Sequence, residues 1–151
     1  MGLILINELR RKDMTNKDYV VVVQCQIVKD RCSGYYCEHA FFERSGLFTE
    51  YPKGEQRYLS MSCGGCCGRA VLPKLSSLIK QIKKKEKIEK DRIVVHLSSC
   101  ISFESYHAPP CPHKEYIKTL ICDRLGLDLV EGSKITDLTD KRRREGKYAG
   151  R

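Results

Sequence analysis

No run in this 151-residue chain approaches the ~20 consecutive apolar residues that span a bilayer. A secretory leader is missing as well: Leu3-Ile4-Leu5-Ile6 is only four residues long, and the positive charges of Arg10-Arg11-Lys12 follow it rather than precede it. Gly2 is followed at position 6 by Ile, not Ser or Thr, so the myristoylation pattern fails. No internal sequence repeat is present beyond a strand–helix unit. An even cysteine count is lacking too, because the nine cysteines cannot all pair internally. These absences together predict a cytoplasmic protein without a membrane segment. In that compartment a cysteine-rich chain carries a thiolate ligand set or a redox site, not a disulfide framework.

Charge is the next feature. The formal net charge of +9 resembles the footprint of a nucleic-acid binder, but its distribution argues otherwise. Lys80 to Arg92 hold seven Lys/Arg against three Asp/Glu, and Lys141 to Arg151 hold six against one, which is the whole excess. The first stretch, with Lys83-Lys84-Lys85, reads as the solvated end of a helix and the second as a frayed, disordered tail. Nucleic acid is therefore the weaker partner reading, and nothing in the sequence specifies an oligomeric state.

Hydrophobic patterning predicts an alternating order of elements. Tyr19 to Cys25 is a β-branched run without alternation, as in a strand buried on both faces of a parallel sheet. Glu38 to Ser45 reads as a short helix that Gly46 ends. Arg57 to Ser62 is a second strand. Val71, Leu75, Leu78, Ile79 and Ile82 fall at helical spacing within Gly68 to about Lys87, where Pro73 is tolerated only near the first turn. Ile93 to Ser98 is a third strand. His113 to Leu125 is a helix with Ile117, Leu120 and Ile121 inward, and Asp128 to Val130 adds a fourth strand. The fold expected is α/β: a single-domain open parallel sheet in a flavodoxin/Rossmann-like three-layer α/β/α arrangement. The domain occupies 19–132, with an N-terminal extension over 1–18 and a basic tail over 133–151, both contributing little to the core.

Laid on this outline, the cysteines gather. Cys25, Cys63 and Cys100 each fall just past the carboxyl end of a strand, separated by 38 and 37 residues. In a parallel sheet those ends share one edge, the edge where open α/β folds bind ligands. Cys32 and Cys37 occupy the loop after the first strand, and Cys66 and Cys67 the entrance to the second helix. Cys111 and His113 follow the third strand, in a loop stiffened by Pro109, Pro110 and Pro112. Thiolates and imidazole suit zinc at bond lengths of ~2.3 Å to sulfur, and a larger cluster can bridge several such loops. Cys122, inside a helix, reads as a small buried hydrophobe. His96 reads as a core histidine, and His39 and His107 as surface residues able to substitute as ligands.

The Cys63-Gly64-Gly65-Cys66 motif is by itself ambiguous between metal binding and a thioredoxin-like dithiol. Gly64 and Gly65 allow a tight turn and leave N–H groups open toward an anion or cluster sulfur.

The motif in its setting resembles the CGGC-domain family. The resemblance is carried by Cys25-Gln26, Cys32-x-Gly-x-x-Cys37 with Ala40-Phe41-Phe42 and Gly46, Val95 to Cys100, and Pro110-Cys111-Pro112-His113. It runs from about Val20 to Gly132 and implies a metal-binding domain, with zinc the expected metal and Cys25, Cys32, Cys37, Cys63, Cys66, Cys100, Cys111 and His113 as ligands. Cys67 stands where the family often has another residue. Eight ligands exceed one tetrahedral site, so two sites, or one site and a redox pair, are both open. Two alternatives stand beside zinc. One is an iron–sulfur cluster at three strand ends with an iron open to a small sulfur-containing substrate. The other is a thiol–disulfide oxidoreductase acting through Cys63 and Cys66.

Overall fold

The computed structural model describes residues 16–103, 109–134 and 137–146. Four strands, β1 Tyr19–Gln24, β2 Arg57–Ser62, β3 Ile93–Leu97 and β4 Asp128–Glu131, form one all-parallel sheet in the order β2-β1-β3-β4. The α/β class read from the sequence is what the chain adopts. Every residue of β1 and β3 is buried, which is why those two strands read as continuous apolar runs. The edge strand β2 is half-exposed, and its sequence is correspondingly less apolar.

The helices are α1 Gln26–Lys29, α2 Tyr35–Glu43, α3 Val71–Glu86, α4 Ser99–Ser102, α5 Lys114–Lys118 and α6 Asp137–Arg144. Alternation along the strands sorts the core into two layers. Val21, Val23, Val95 and Leu97 pack under Val71, Leu75 and Ile82 of α3 and Ile117 of α5. Val20, Val22 and Val94 pack on the other face under Ala40 and Phe41 of α2, with Phe48 and Tyr51. The connection from β1 to β2 runs one way across the sheet, and those from β2 to β3 and β3 to β4 run the other. Right-handed crossovers then put α2 on one face and α3 and α5 on the other, as observed. The direction reverses between β1 and β3, which opens a crevice at their carboxyl ends.

Several elements depart from the sequence reading. α2 begins at Tyr35, three residues early, and is capped not by Gly46 but by Arg44, which takes a left-handed conformation (φ 57°, ψ 47°). The Arg44 side chain favours that cap, since its guanidinium donates to Phe41 O and lies 4.0 Å over the Phe41 ring. The expected helix over 113–125 is α-helical only to Lys118 and continues as a π-helix over Thr119–Arg124. Its wider turn is closed by Leu125 N–H donating to Leu120 O at 3.1 Å. The stretch expected as a disordered tail carries α6. Lys17 and Ser133, in segments expected to lie outside the core, are buried. Lys17 Nζ reaches Asp128 Oδ2 and Asp91 O, each at 2.5 Å, and ties the start of the domain to β4. Among the described residues no helix is long and apolar enough to cross a membrane.

Candidate metal centre

The sheet register assembles the site. The last β1–β2 pair is Gln24 with Ser62, and Cys63 N–H extends the ladder by donating to Gln24 O at 2.8 Å. Cys25 and Cys63 are therefore lateral neighbours at the carboxyl edge. On the other side of β1, Val23 pairs with Leu97 and Ser98 N–H donates to Val23 O at 2.9 Å, which brings Cys100 in α4 beside Cys25. Two sulfurs lie against the backbone that leaves β1. Cys25 N–H points to Cys100 Sγ at 3.5 Å, and Gln26 N–H to Cys63 Sγ at 3.4 Å. Such N–H groups favour a sulfur that carries negative charge.

Beyond Cys63 the chain turns through Gly64 (φ 81°) and Gly65 (φ 105°), and Gly68 N–H closes the turn onto Gly65 O at 2.6 Å. A methyl group at Gly64 would stand 2.3 Å from Ala70 Cβ, and one at Gly68 would stand 2.5 Å from Ile117 Cδ1. Glycine at 64 is thus required twice, by its backbone conformation and by the close approach of the following loop. Gly68 lets α5 seat directly on the loop. The fold of this turn leaves Cys63 buried, Cys67 half-buried and Cys66 exposed.

Cys25, Cys63, Cys66, Cys67, Cys111 and His113 line one cavity of about 20 Å³, walled by Ile27, Ile101 and Ile117 and with Gly65 at its edge. That volume admits roughly one water-sized species. Of the residues expected from sequence, Cys25, Cys63, Cys66, Cys111 and His113 come together here. Cys111 is held at the site by its own N–H donating to Ile101 O at 2.9 Å. Cys67, left out of the expected ligand set, belongs to the lining. Its adjacency to the motif was the only sequence signal for it.

The remaining candidates lie elsewhere. Cys37 sits on α2, on the opposite face of the sheet, with its Sγ 3.1 Å from Ser133 Oγ. Cys32 is half-buried in the turn after α1, where its N–H donates to Val28 O at 2.8 Å. Cys100 is not in the cavity lining; its sulfur is 2.8 Å from Ser98 Oγ and 3.5 Å from Cys25 N. His96 is fully buried. Its Nδ1 contacts Gly132 O at 2.9 Å and its Nε2 contacts Tyr51 Oη at 2.6 Å, so the neutral ring donates to the carbonyl and accepts from the phenol. His39 is on the surface, stacked on Tyr35 and 3.2 Å from Glu43. His107 lies outside the described residues.

Burial pushes the Cys100 thiol up to about 11, against the opposing hydrogen bond from Ser98. Burial also raises Cys111, and the neighbouring Cys25, Cys63 and Cys66 raise it further. Crowded thiols in a low-dielectric pocket cannot all ionise unless a cation shares the space. The donor types fit a thiophilic ion. Their separations do not yet form a ligand group, because among the described residues no three His, Cys, Asp or Glu side chains stand in an arrangement that could hold a metal ion. The site is a set of thiols and one imidazole that share a cavity without standing in ligand geometry.

Comparison with curated proteins and with solved structures returns no significant match. A family model does match, over residues 19–134, the span that contains the whole sheet and every cavity-lining thiol. Nine cysteines on such a framework fit a metal-binding role. The chain belongs to the CGGC domain family.

Proposed function

We propose that the protein binds a single zinc ion in the rim cavity, held by Cys25, Cys63, Cys66 and Cys111, with His113 and Cys67 as the adjacent donors. The observation that carries this reading is the convergence of five thiols and one imidazole, drawn from three separate loops, on a cavity of about 20 Å³. A bound zinc ion supplies a localised double charge that thiolates neutralise. The chain supplies the rest. Gln26 N–H steadies Cys63 Sγ, and Ile101 and Ile117 form an apolar wall beside the sulfurs. Ser98 and Cys25 N–H hold Cys100 beside the site as a supporting group.

The redox reading loses one of its supports. A thioredoxin-like dithiol sits at a helix N-terminus, whereas α3 begins at Val71, five residues beyond Cys66. A reducing, cytoplasmic location suits a site made of thiols.

Metal and acid-labile sulfide analysis of anaerobically purified protein tests the proposal. The expected result is colourless protein with one zinc per chain and no sulfide. Stoichiometric iron and sulfide with visible charge-transfer absorbance would replace zinc with a cluster, and metal-free protein that cycles between dithiol and disulfide would replace metal binding altogether. Cys63→Ser and Cys111→Ser are expected to strip the zinc. Cys37→Ser, on the other face of the sheet, is expected to retain it.

A further inference from the structure

The thiols that the sheet holds closest in register are not the pair of the Cys-Gly-Gly-Cys motif but Cys25 and Cys63. The β1–β2 ladder runs without slip to Gln24 opposite Ser62 and continues through the Cys63 N–H bond to Gln24 O. Cys25 and Cys63 therefore face each other one step beyond. Both lie on the α3 side of the sheet: Cys63 is part of that core and Cys25 packs against it, as do Leu59 and Met61 of β2. Neighbouring parallel strands are about 4.8 Å apart, within the Cα separation of about 4.4–6.8 Å that a disulfide spans. Cys63 Sγ is already 3.4 Å from the nitrogen of Gln26, the residue after Cys25. The competing partners are worse placed. Cys66 is exposed and lies beyond the two-glycine turn. Cys100 Sγ also comes within 3.5 Å of Cys25 N, but Cys100 is one residue past the position opposite Cys25, in α4, and its sulfur is engaged by Ser98 Oγ at 2.8 Å.

We infer that Cys25 and Cys63 close into a reversible cross-strand disulfide that excludes the metal ion, with a small-molecule disulfide of the glutathione class as oxidant. The inference rests on the metal-binding reading, because both sulfurs are ligands in it. Cys25, half-exposed at the cavity, attacks one sulfur of the small disulfide. A mixed disulfide forms on Cys25 and one small thiolate leaves. The buried Cys63 thiolate then attacks Cys25 Sγ, the bond to the small molecule breaks, and a second small thiolate departs. Two protein thiols give up two electrons and two protons, and the small disulfide becomes two thiols. An ion bound before the exchange loses two of its ligands and is released.

Reduced, metal-free full-length protein equilibrated with oxidised glutathione, alkylated, digested with trypsin and read by mass spectrometry tests the step. The expected product is a bridge between the peptides ending at Lys29 and Arg69, with fragmentation placing it on Cys63 rather than Cys66 or Cys67. The oxidised protein should take up zinc at least about 100-fold more weakly than the reduced protein, at or beyond the upper end of what loss of an outer-shell partner costs, and dithiothreitol should restore uptake. A bridge from Cys63 to Cys66, a bridge from Cys25 to Cys100, a glutathione adduct that goes no further, or full alkylation of all nine cysteines would each overturn the inference. Equal zinc uptake by both forms would overturn the exclusion. Failure of the reduced protein to take up zinc would instead sink the metal reading while the bridge stood.

Discussion

At the scale of single residues, the informative contrast is between a buried histidine, read from the sequence as a core residue, and the cavity thiols. His96 is a structural residue. Burial holds its ring down at about 4, opposed only by the hydrogen bond to Gly132. Its folded value is below the unfolded one of about 6.5, so the unfolded chain takes up the proton first. The stability it contributes is complete above pH 6.5 and is lost as pH falls toward 4, about 3 kcal/mol over the full window. An NMR titration should place His96 near 4, and urea unfolding should show the loss beginning below pH 6.5. A ring that titrates at its ordinary value would refute the buried neutral form. Tyr51→Phe removes the donor to Nε2 and should cost about 1–3 kcal/mol. The cavity thiols are the opposite case. Burial raises the Cys111 thiol, so the proposed zinc uptake should expel protons. Uptake should tighten as pH rises, with calorimetry in buffers of different ionisation enthalpy counting the protons released.

At the scale of elements, the site depends on one turn and on the helix that leans on it. Gly64→Ala places a methyl 2.3 Å from Ala70 Cβ at φ 81°. The expected outcome is a loss of about 2–4 kcal/mol by denaturant unfolding and weakened zinc binding. Adding Ala70→Gly should recover the steric part but not the backbone part. Zinc binding unchanged in Gly64→Ala would mean that the turn does not position Cys63 and Cys66. The cysteines at the ends of β1 and β2 could be placed from sequence because a run of β-branched residues ends sharply and the next residue is cysteine. The cavity membership of Cys67 could not, since it depends on how three left-handed glycines fold the loop back toward Ile117. The separation of Cys37 from the cavity was equally hidden. It follows from α2 packing on the face opposite α3, a consequence of crossover direction rather than of local pattern.

At the scale of the whole molecule, ion pairs clip both ends of the sheet and the cavity thiols gather at one. The amino-terminal end is clipped by ion pairs, Arg92 with Asp18 at 2.7 Å and Arg57 with Glu86 at 3.1 Å, while the carboxyl end carries the thiols together with the Lys118–Glu131 pair at 2.8 Å. A metal ion that joins loops from β1, β2 and β3 favours the folded chain, and should raise its stability by up to about 4 kcal/mol at a free concentration 1,000 times its Kd, less what the unfolded thiols bind. Thermal unfolding should therefore shift up by as much as roughly 10 °C with zinc and fall back on chelation. A Tm indifferent to both would place any bound metal outside the fold. The sequence by itself determined the strands, the parallel sheet and the rim on which the cysteines gather, because burial on both faces writes apolar runs directly into the chain and strand length sets where they end. Only the tertiary structure decided which thiols share the cavity. Helix side, glycine-permitted turns and the seating of α5 on Gly68 are long-range packing choices, and these separate Cys25, Cys63, Cys66, Cys67 and Cys111 from Cys32, Cys37 and Cys100.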